Sequence, residues 1–400
     1  MSEGANQNAK MKLETGLIHL GDEFNTTSAV APPIWQTSTY LAPEDPAAFS
    51  ELAASINPTE FYSRHGNPTN AQVQAIIASL EHAEAALVTA SGMGAVSAAV
   101  FASVKAGEHV VTQKILYAAS MILFRDLLPK YGVEVTFVEA TDTAAFEKAI
   151  RPNTKLIYLE TPVNPLMTLT DLKAVSALAK KRGITTICDN TFASPINQRP
   201  IDLGIDVVIH SATKFLGGHS DLTAGAICGT KEFVKAAWRM MIIFGSSLAS
   251  FDSWLLLRGL RTLSLRMERI NANAIALADY LVSHPNIETV HFPFLKTHPQ
   301  LSLAKSQMLG PSGMMSFEVR GESEEEKFDN AQSLLKKLRF PKNAVSLGGV
   351  ETLIVHPASM WRYHYTPEQR KASGIGLGLI RLSVGIEHID DLIGDFREAL

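Results

Sequence analysis

The stretch Val207-Val208-Ile209-His210-Ser211-Ala212-Thr213-Lys214-Phe215-Leu216-Gly217-Gly218-His219-Ser220-Asp221 decides how the rest of the chain is read. It opens on a β-branched run, Val207 to Ile209, of the kind that fills a fully buried parallel strand. The run ends in small hydroxylated residues, one lysine and a glycine pair, with Gly225 beyond. In open α/β sheets, ligands bind at the carboxyl ends of the strands. A lysine held there is partly desolvated, which lowers its pKa and makes a neutral, nucleophilic amine accessible. Ser211 and Thr213 flank Lys214 with hydroxyl donors suited to a phosphate. A surface lysine after an ordinary strand would read the same way, so the stretch needs support from elsewhere in the chain.

Upstream, Ala86 to Ala90 is a short apolar strand that runs into Ser91-Gly92-Met93-Gly94-Ala95 and then a helix through Val100. Strand, glycine turn and helix N-terminus make an anion site, because free backbone N–H groups point at the ligand. No Gly-Lys-Ser/Thr follows, so this is no Walker loop, and the dinucleotide glycine pattern is missing too. Close helix–strand packing would also call for such glycines. Further strands are expected at His109-Val110-Val111, over Val133 to Phe137 and over Lys155 to Leu159. The last ends in Glu160-Thr161-Pro162-Val163-Asn164-Pro165, a loop that presents Asn164. A helix from Leu172 to Lys181 leads to Thr185-Thr186-Ile187-Cys188 and then Asp189. An aspartate closing a buried apolar strand is costly unless it is paired. Strands alternating with helices predict a parallel sheet with right-handed crossovers.

Before these elements, residues 1–60 carry few regular signals and five prolines between Pro32 and Pro58, which suggests an arm ordered by another surface. Tyr62 and Arg64 follow in Phe61-Tyr62-Ser63-Arg64-His65-Gly66-Asn67-Pro68-Thr69-Asn70. Val73, Ile76, Ile77 and Leu80 then fall at helical spacing, with Thr69 as the expected N-cap. The arginine fork of Arg64 suits a phosphate, although a surface loop explains the segment equally well. Past Gly225 the chain is expected to turn mainly helical. Phe251 to Leu265 reads as one long helix, with Arg258, Arg261, Arg266 and Arg269 placed to favour its dipole. From about residue 266 a smaller α+β domain is expected, giving the division 1–60, 61–265 and 266–400.

The chain has 400 residues, 46% of them hydrophobic and 19% charged, with a net charge of −4, so neither nucleic acid nor an anionic membrane is expected as a partner. Cys188 and Cys228 lie in apolar runs and read as buried free thiols, which fits a reducing, cytoplasmic setting. Met1 to Lys12 is polar and shows no secretory leader, and no run has the length and apolarity of a membrane span.

A strand-end lysine, a strand-end aspartate, a glycine-rich helix N-terminus and hydroxyls beside the lysine form one constellation. Pyridoxal phosphate needs those parts: a lysine for the Schiff base, an aspartate for the pyridine N–H, and donors for the phosphate. No metal site is expected. The chain resembles the Cys/Met-metabolism pyridoxal-phosphate enzymes of fold type I, through YSRHGNPT, SGMGA, ETPVNP, DNTFASP, HSATKFLGGHSD, SLGGVETL, HPASM and IRLSVGIE. That family includes methionine γ-lyase, cystathionine γ-lyase, cystathionine γ-synthase and the homoserine-ester sulfhydrylases. The resemblance runs from about Leu17 to Leu400 and implies an α/β cofactor domain, with a mainly parallel sheet flanked by helices, plus the smaller C-terminal domain. It implies that Lys214 bonds the cofactor, Asp189 pairs with the pyridinium, and Tyr117 stacks on the ring. Gly92, Met93, Ser211 and Thr213 would hold the phosphate, with Tyr62 and Arg64 reaching it from a neighbouring subunit of a homotetramer. Asn164, Ser346 and Arg381 would orient the α-carboxylate of an amino-acid substrate, a task a bidentate guanidinium performs well.

The chain departs from the family at several positions. Methionine γ-lyases read Tyr-Gly-Cys-Thr where this chain has Tyr117-Ala118-Ala119-Ser120, and carry a Lys-Asp pair near Met241-Ile242. Cystathionine γ-lyases place a glutamate at Val345. After Met360 the family often has Thr-His, whereas Trp361-Arg362-Tyr363-His364 stand here as pocket or subunit-contact residues. The resulting expectation is a γ-lyase acting on methionine, cystathionine or a γ-oxygen-linked amino acid such as canavanine or an O-acyl-homoserine. A γ-replacement enzyme (a sulfhydrylase or cystathionine γ-synthase) and a non-catalytic cofactor-binding relative are the alternatives.

Overall fold

The computed structural model describes residues 11–361 and 374–400. Its centre is a seven-stranded sheet built from β1 (Ala85–Thr89), β2 (His109–Gln113), β3 (Glu134–Val138), β4 (Thr154–Glu160), β5 (Thr185–Asp189), β6 (Val207–Ser211) and β7 (Gly225–Gly229). The strand order is β1-β7-β6-β5-β4-β2-β3. Residue alternation explains how both faces of this sheet are covered. Val207 and Ile209 join the core beneath the helices Gly92–Ser103 and Lys231–Phe244, while Val208 points into the opposite core with Ile76, Ile77 and Leu256. A strand buried on both faces therefore reads as a continuous apolar run.

The sheet is mainly parallel, as expected, and β7 is its one antiparallel member, placed just before the helices expected past Gly225. It is antiparallel to both β6 and β1. The loop from Ser211 to Gly225 holds no helix, so the chain has no crossover and must return antiparallel. A Cβ at Gly225 would lie 2.2 Å from the Ser91 carbonyl oxygen, which is why the strand can begin so close to the β1 turn. The helix expected from Thr69 begins earlier, at Pro68. Its N-cap is Asn67, whose side chain accepts from the Thr69 N–H. Proline at the first helical position leaves the capping role to the residue before it.

The expected helix Phe251–Leu265 is two helices, Ser250–Arg261 and Leu263–Ser283, separated at Thr262. Arg266 lies in the first turn of the second, where a cation gains nothing from the dipole. It is buried, and donates to the carbonyls of Phe215 (2.7 Å) and Gly259 (2.7 Å), anchoring the segment just past Lys214. The helix Leu263–Ser283 serves two cores. Leu263, Met267 and Ile270 face the large-sheet core, and Ala274, Leu277 and Leu281 face the core of a second sheet. The expected boundary at residues 265/266 thus falls within this helix.

The second sheet has the order β10-β11-β12-β9-β8, from β8 (Ile287–His291), β9 (Met314–Val319), β10 (Lys342–Asn343), β11 (Leu353–Val355) and β12 (Leu379–Ser383). The helices Glu324–Lys337 and Ile389–Ala399 contribute to the same apolar core, with Leu334 and Phe396. Cys188 and Cys228 are buried free thiols, as read from their apolar context. Among the described residues no helix is long and apolar enough to cross a membrane.

Candidate active site

The carboxyl ends of β4, β5 and β6 open on a cavity of about 620 Å³. Its wall includes all the expected site residues except Tyr62 and Arg64: Gly92, Met93, Tyr117, Asn164, Asp189, Ser211, Thr213, Lys214, Ser346 and Arg381. The first eight come from the ends of the large sheet's strands and from the loops and helix start that follow them. Ser346 lies in the loop between β10 and β11, and Arg381 on β12, so the second sheet closes the cavity. Gly348, at φ +79°, lets that loop press on the lysine segment, where a Cβ would lie 2.5 Å from the Phe215 nitrogen.

Lys214 Nζ donates to Ser346 Oγ at 2.7 Å. Burial, with the Arg381 charge adding to it, pushes the Lys214 amine down from 10.5 to about 8. Ser346 is a non-glycine residue at φ +84°, a conformation that costs on the order of 1 kcal/mol or more and collects at functional sites. Its carbonyl accepts from Arg381 Nη2 at 2.9 Å, and Arg381 Nη1 donates to Asn164 Oδ1 at 3.2 Å. Burial lowers Arg381 to about 10, which leaves it cationic at neutral pH. Among the described residues no carboxylate pairs with this buried guanidinium. A desolvated cation without a counter-charge fits an anionic ligand, and its planar fork fits a carboxylate.

Asp189 Oδ1 accepts from the Thr191 N–H (3.0 Å) and hydroxyl (2.5 Å). Burial raises the Asp189 pKa, offset in part by these bonds and by His210. His210 Nε2 lies 2.5 Å from Glu81 Oε1 in a fully buried pair behind the strand. At the other end of the cavity, Ser91 caps the helix Gly92–Ser103 by accepting from the Gly94 N–H at 3.0 Å. The N–H groups of the helix's first turn have no intrahelical acceptor. A Cβ at Gly92 would sit 2.8 Å from the Ser211 Cβ. The glycine thus keeps open a cradle beside the Ser211 hydroxyl. The Thr213 hydroxyl is engaged on the backbone of Ala224, accepting from its N–H at 2.9 Å.

Tyr62 and Arg64 lie away from this cavity within the same chain. Arg64 Nη1 donates to the Ile242 carbonyl at 3.0 Å, its guanidinium is 5.3 Å from the Tyr62 ring centroid, and Tyr62 is exposed. Val345 and Trp361 line the cavity. Ala119 does not, and Met241 is buried in the large-sheet core. Arg362, Tyr363 and His364 lie outside the described residues. Sequence reading passed over Glu160, Thr191 and Phe192, which also line the cavity. Glu160 carried the same signal as Asp189, a carboxylate closing an apolar strand.

These parts fit pyridoxal phosphate: an amine of lowered basicity, a buried carboxylate for the ring nitrogen, and a helix N-terminus with an open cradle for the phosphate. The comparisons agree. The Cys/Met metabolism PLP-dependent enzyme family matches residues 14–400. The L-methionine gamma-lyase of Porphyromonas gingivalis is 44% identical over 389 residues, covering 96% of each chain. The cystathionine gamma-lyase of Bacillus subtilis is 42% identical over 394 residues, covering 98% of this chain and 99% of the relative. The crystal structure of cystathionine gamma-lyase from Lactobacillus plantarum complexed with L-serine superposes with a TM-score of 0.89 at 40% identity, covering 97% of this chain and 98% of that one. Site geometry and whole-length similarity converge: the chain belongs to the Cys/Met metabolism PLP-dependent enzyme family, and pyridoxal phosphate is its cofactor.

Proposed function

We propose that this protein is a γ-lyase, eliminating the γ-substituent of an amino acid. One observation carries the reading: Ser346 holds the Lys214 amine through its hydroxyl and the buried Arg381 through its carbonyl. A proton carrier and a carboxylate receptor are thereby set at a fixed separation. The similarity to methionine and cystathionine γ-lyases over nearly the full length supports elimination. The division into an arm (1–60), a cofactor-binding part (61–265) and a smaller C-terminal part (266–400) belongs to this proposal, as does a cytoplasmic setting.

When bound, pyridoxal phosphate supplies an electron sink for charge developing at Cα. Arg381 and Asn164 receive the α-carboxylate. The neutral Lys214 amine would take the Cα proton, pass it on, and then take a proton from Cβ. The pair left there forms the Cβ–Cγ double bond as the γ-substituent leaves with its own bonding pair and a proton from solvent. The two protons removed are returned at Cγ and Cβ, a task suited to a base whose pKa lies near the working pH. Ser346 Oγ accepts a hydrogen bond from that amine and aims it. Asp189 holds the proton on the ring nitrogen, and Tyr117 covers the ring face. Phe192, Leu347 and Trp361 in the wall restrict water at the reacting carbons. Tyr62 and Arg64 contribute to the phosphate site of a neighbouring subunit in a homotetramer.

Purified enzyme is tested against methionine, cystathionine, homocysteine, O-acetylhomoserine and canavanine, scoring 2-oxo acid, homoserine and released thiol. Loss of the γ-substituent without added thiol is expected. A strict requirement for sulfide or cysteine would move the protein to γ-replacement, and no turnover of any substrate would end the lyase reading.

A further inference from the structure

Glu160 is a carboxyl group that the reaction outlined above does not use. It closes β4 directly beside Asp189, its register partner on β5, and is 4% exposed. Burial, with the Asp189 charge adding to it, pushes the Glu160 carboxyl up to about 8. A second acid beside Asp189 is therefore an expensive occupant, and an apolar or amide side chain would be cheaper unless the carboxyl does something specific.

Its contacts say what that is. Oε2 accepts from the Tyr117 N–H at 2.7 Å and Oε1 from the Asn164 N–H at 3.4 Å. Tyr117 follows β2 and caps the short helix Ala118–Ile122, while Asn164 belongs to the loop after β4. One side chain therefore ties together two loops from different strands. The Glu160 backbone is itself held by Gln113, whose Oε1 accepts from its N–H (3.1 Å) and whose Nε2 donates to its carbonyl (3.0 Å). The clamp thus stands on the sheet and not on a loop.

We propose that Glu160 is a positioning residue that sets the ring-covering Tyr117 and the Arg381-bonded Asn164 at one fixed spacing across the cavity. This rests on the γ-lyase reading for the roles of those two residues. Only a full-length carboxyl meets both N–H groups. Glutamine turns an NH₂ toward one of them, aspartate is a methylene short, and alanine meets neither.

The test uses Glu160→Gln and Glu160→Ala in the holoenzyme. Three readouts are normalised to bound cofactor: KM and kcat for the best γ-substituted amino acid, visible circular dichroism, and cofactor affinity from titration of apoenzyme. Both variants should keep bound cofactor, since Lys214 and Asp189 are untouched. Glu160→Ala should lose roughly 10²-fold in kcat/KM, mainly through a higher KM, as a misplacement of about an ångström does. Glu160→Gln should lose roughly tenfold, because one of the two bonds survives. The dichroic band should change in both, and cofactor affinity should fall as Tyr117 loosens. Wild-type KM, dichroism and cofactor affinity in Glu160→Ala would overturn the proposal. So would a lowered melting temperature with normalised kinetics unchanged. If Glu160→Ala does not fold, Glu160→Gln decides by the same criteria. If no γ-substituted amino acid turns over in the wild type, the lyase reading fails, while the dichroism and cofactor titration still decide the role of Glu160.

Discussion

Lys214 Nζ and Ser346 Oγ lie 2.7 Å apart, joining the end of β6 to a loop of the second sheet. A lysine side chain has four rotatable carbons, and without an acceptor it would sample many positions. The serine hydroxyl holds it in one. Lys214→Ala is expected to abolish the visible absorption of lysine-bound cofactor and all turnover while leaving far-UV dichroism intact. Retention of the band with full turnover would remove Lys214 from the centre of the site. Ser346→Ala should keep the band and lose roughly tenfold in kcat, the worth of one hydrogen bond to a charged or reacting group.

The lowered basicity of Lys214 makes a pH prediction. Its pKa falls from 10.5 to about 8 through burial and the neighbouring Arg381 charge. Below pH 8 folded and unfolded chains both carry the proton. Between about 8 and 10.5 only the unfolded chain does, so this group makes apoenzyme stability rise with pH across that window. At 1.36 kcal/mol per unit the effect amounts to about 3 kcal/mol. Denaturant unfolding of apoenzyme should show wild type gaining on Lys214→Met by that order as pH rises. Cofactor reconstitution should also accelerate through pH 8. A pH-independent difference would mean that the amine is not desolvated.

Asp189 accepts only from Thr191 among the described residues, and only on Oδ1. The second oxygen would take a cationic ring N–H. Asp189→Asn should retain cofactor but lose roughly 10²-fold or more in kcat, because a neutral amide cannot hold that proton in place. Unchanged kinetics would take Asp189 out of the site.

Among the described residues Arg64 bonds the Ile242 carbonyl, and it is not part of the cavity wall of its own chain. If it serves the partner's phosphate, mixing inactive Arg64→Ala with inactive Lys214→Ala protomers should restore activity, since one kind of hybrid site has both residues intact. The reading fails if verified subunit exchange brings no recovery.

Trp361 stands in the cavity wall where the family often has threonine, and adds to that wall an indole ring, whose face attracts cationic and polar groups. A polar γ-substituent should profit more from it than a methyl thioether. A higher kcat/KM is expected for canavanine or an O-acyl-homoserine than for methionine, and Trp361→Phe should narrow the gap. Methionine emerging as the best substrate of the panel would sink this expectation.

Some of the site was legible in the sequence because its signals are local. Lys214, Asp189 and Gly92 each follow a short apolar run, and each sits where a parallel strand delivers its ligand contacts. Glu160 is equally local, a carboxylate closing an apolar run as Asp189 is, but its two N–H partners lie in loops from different strands. The Asn67 cap was missed although Pro68 announced the helix start. Arg266 misled because its charge suited a surface helix end, whereas the fold buries it on the carbonyls of Phe215 and Gly259.

By itself, then, the sequence determined the apolar strands, the residues that close them and the glycines between them, since each follows from side-chain period and backbone freedom over a few neighbours. Only the tertiary structure decided that β7 returns antiparallel, that one helix serves two cores, and that Ser346 and Arg381 meet Lys214. The last of these depends on contacts between residues more than a hundred positions apart, such as Lys214 with Ser346 and Asn164 with Arg381. No local propensity encodes such a pairing. It arises when burying the apolar faces of the two sheets against a shared helix brings their polar ends together.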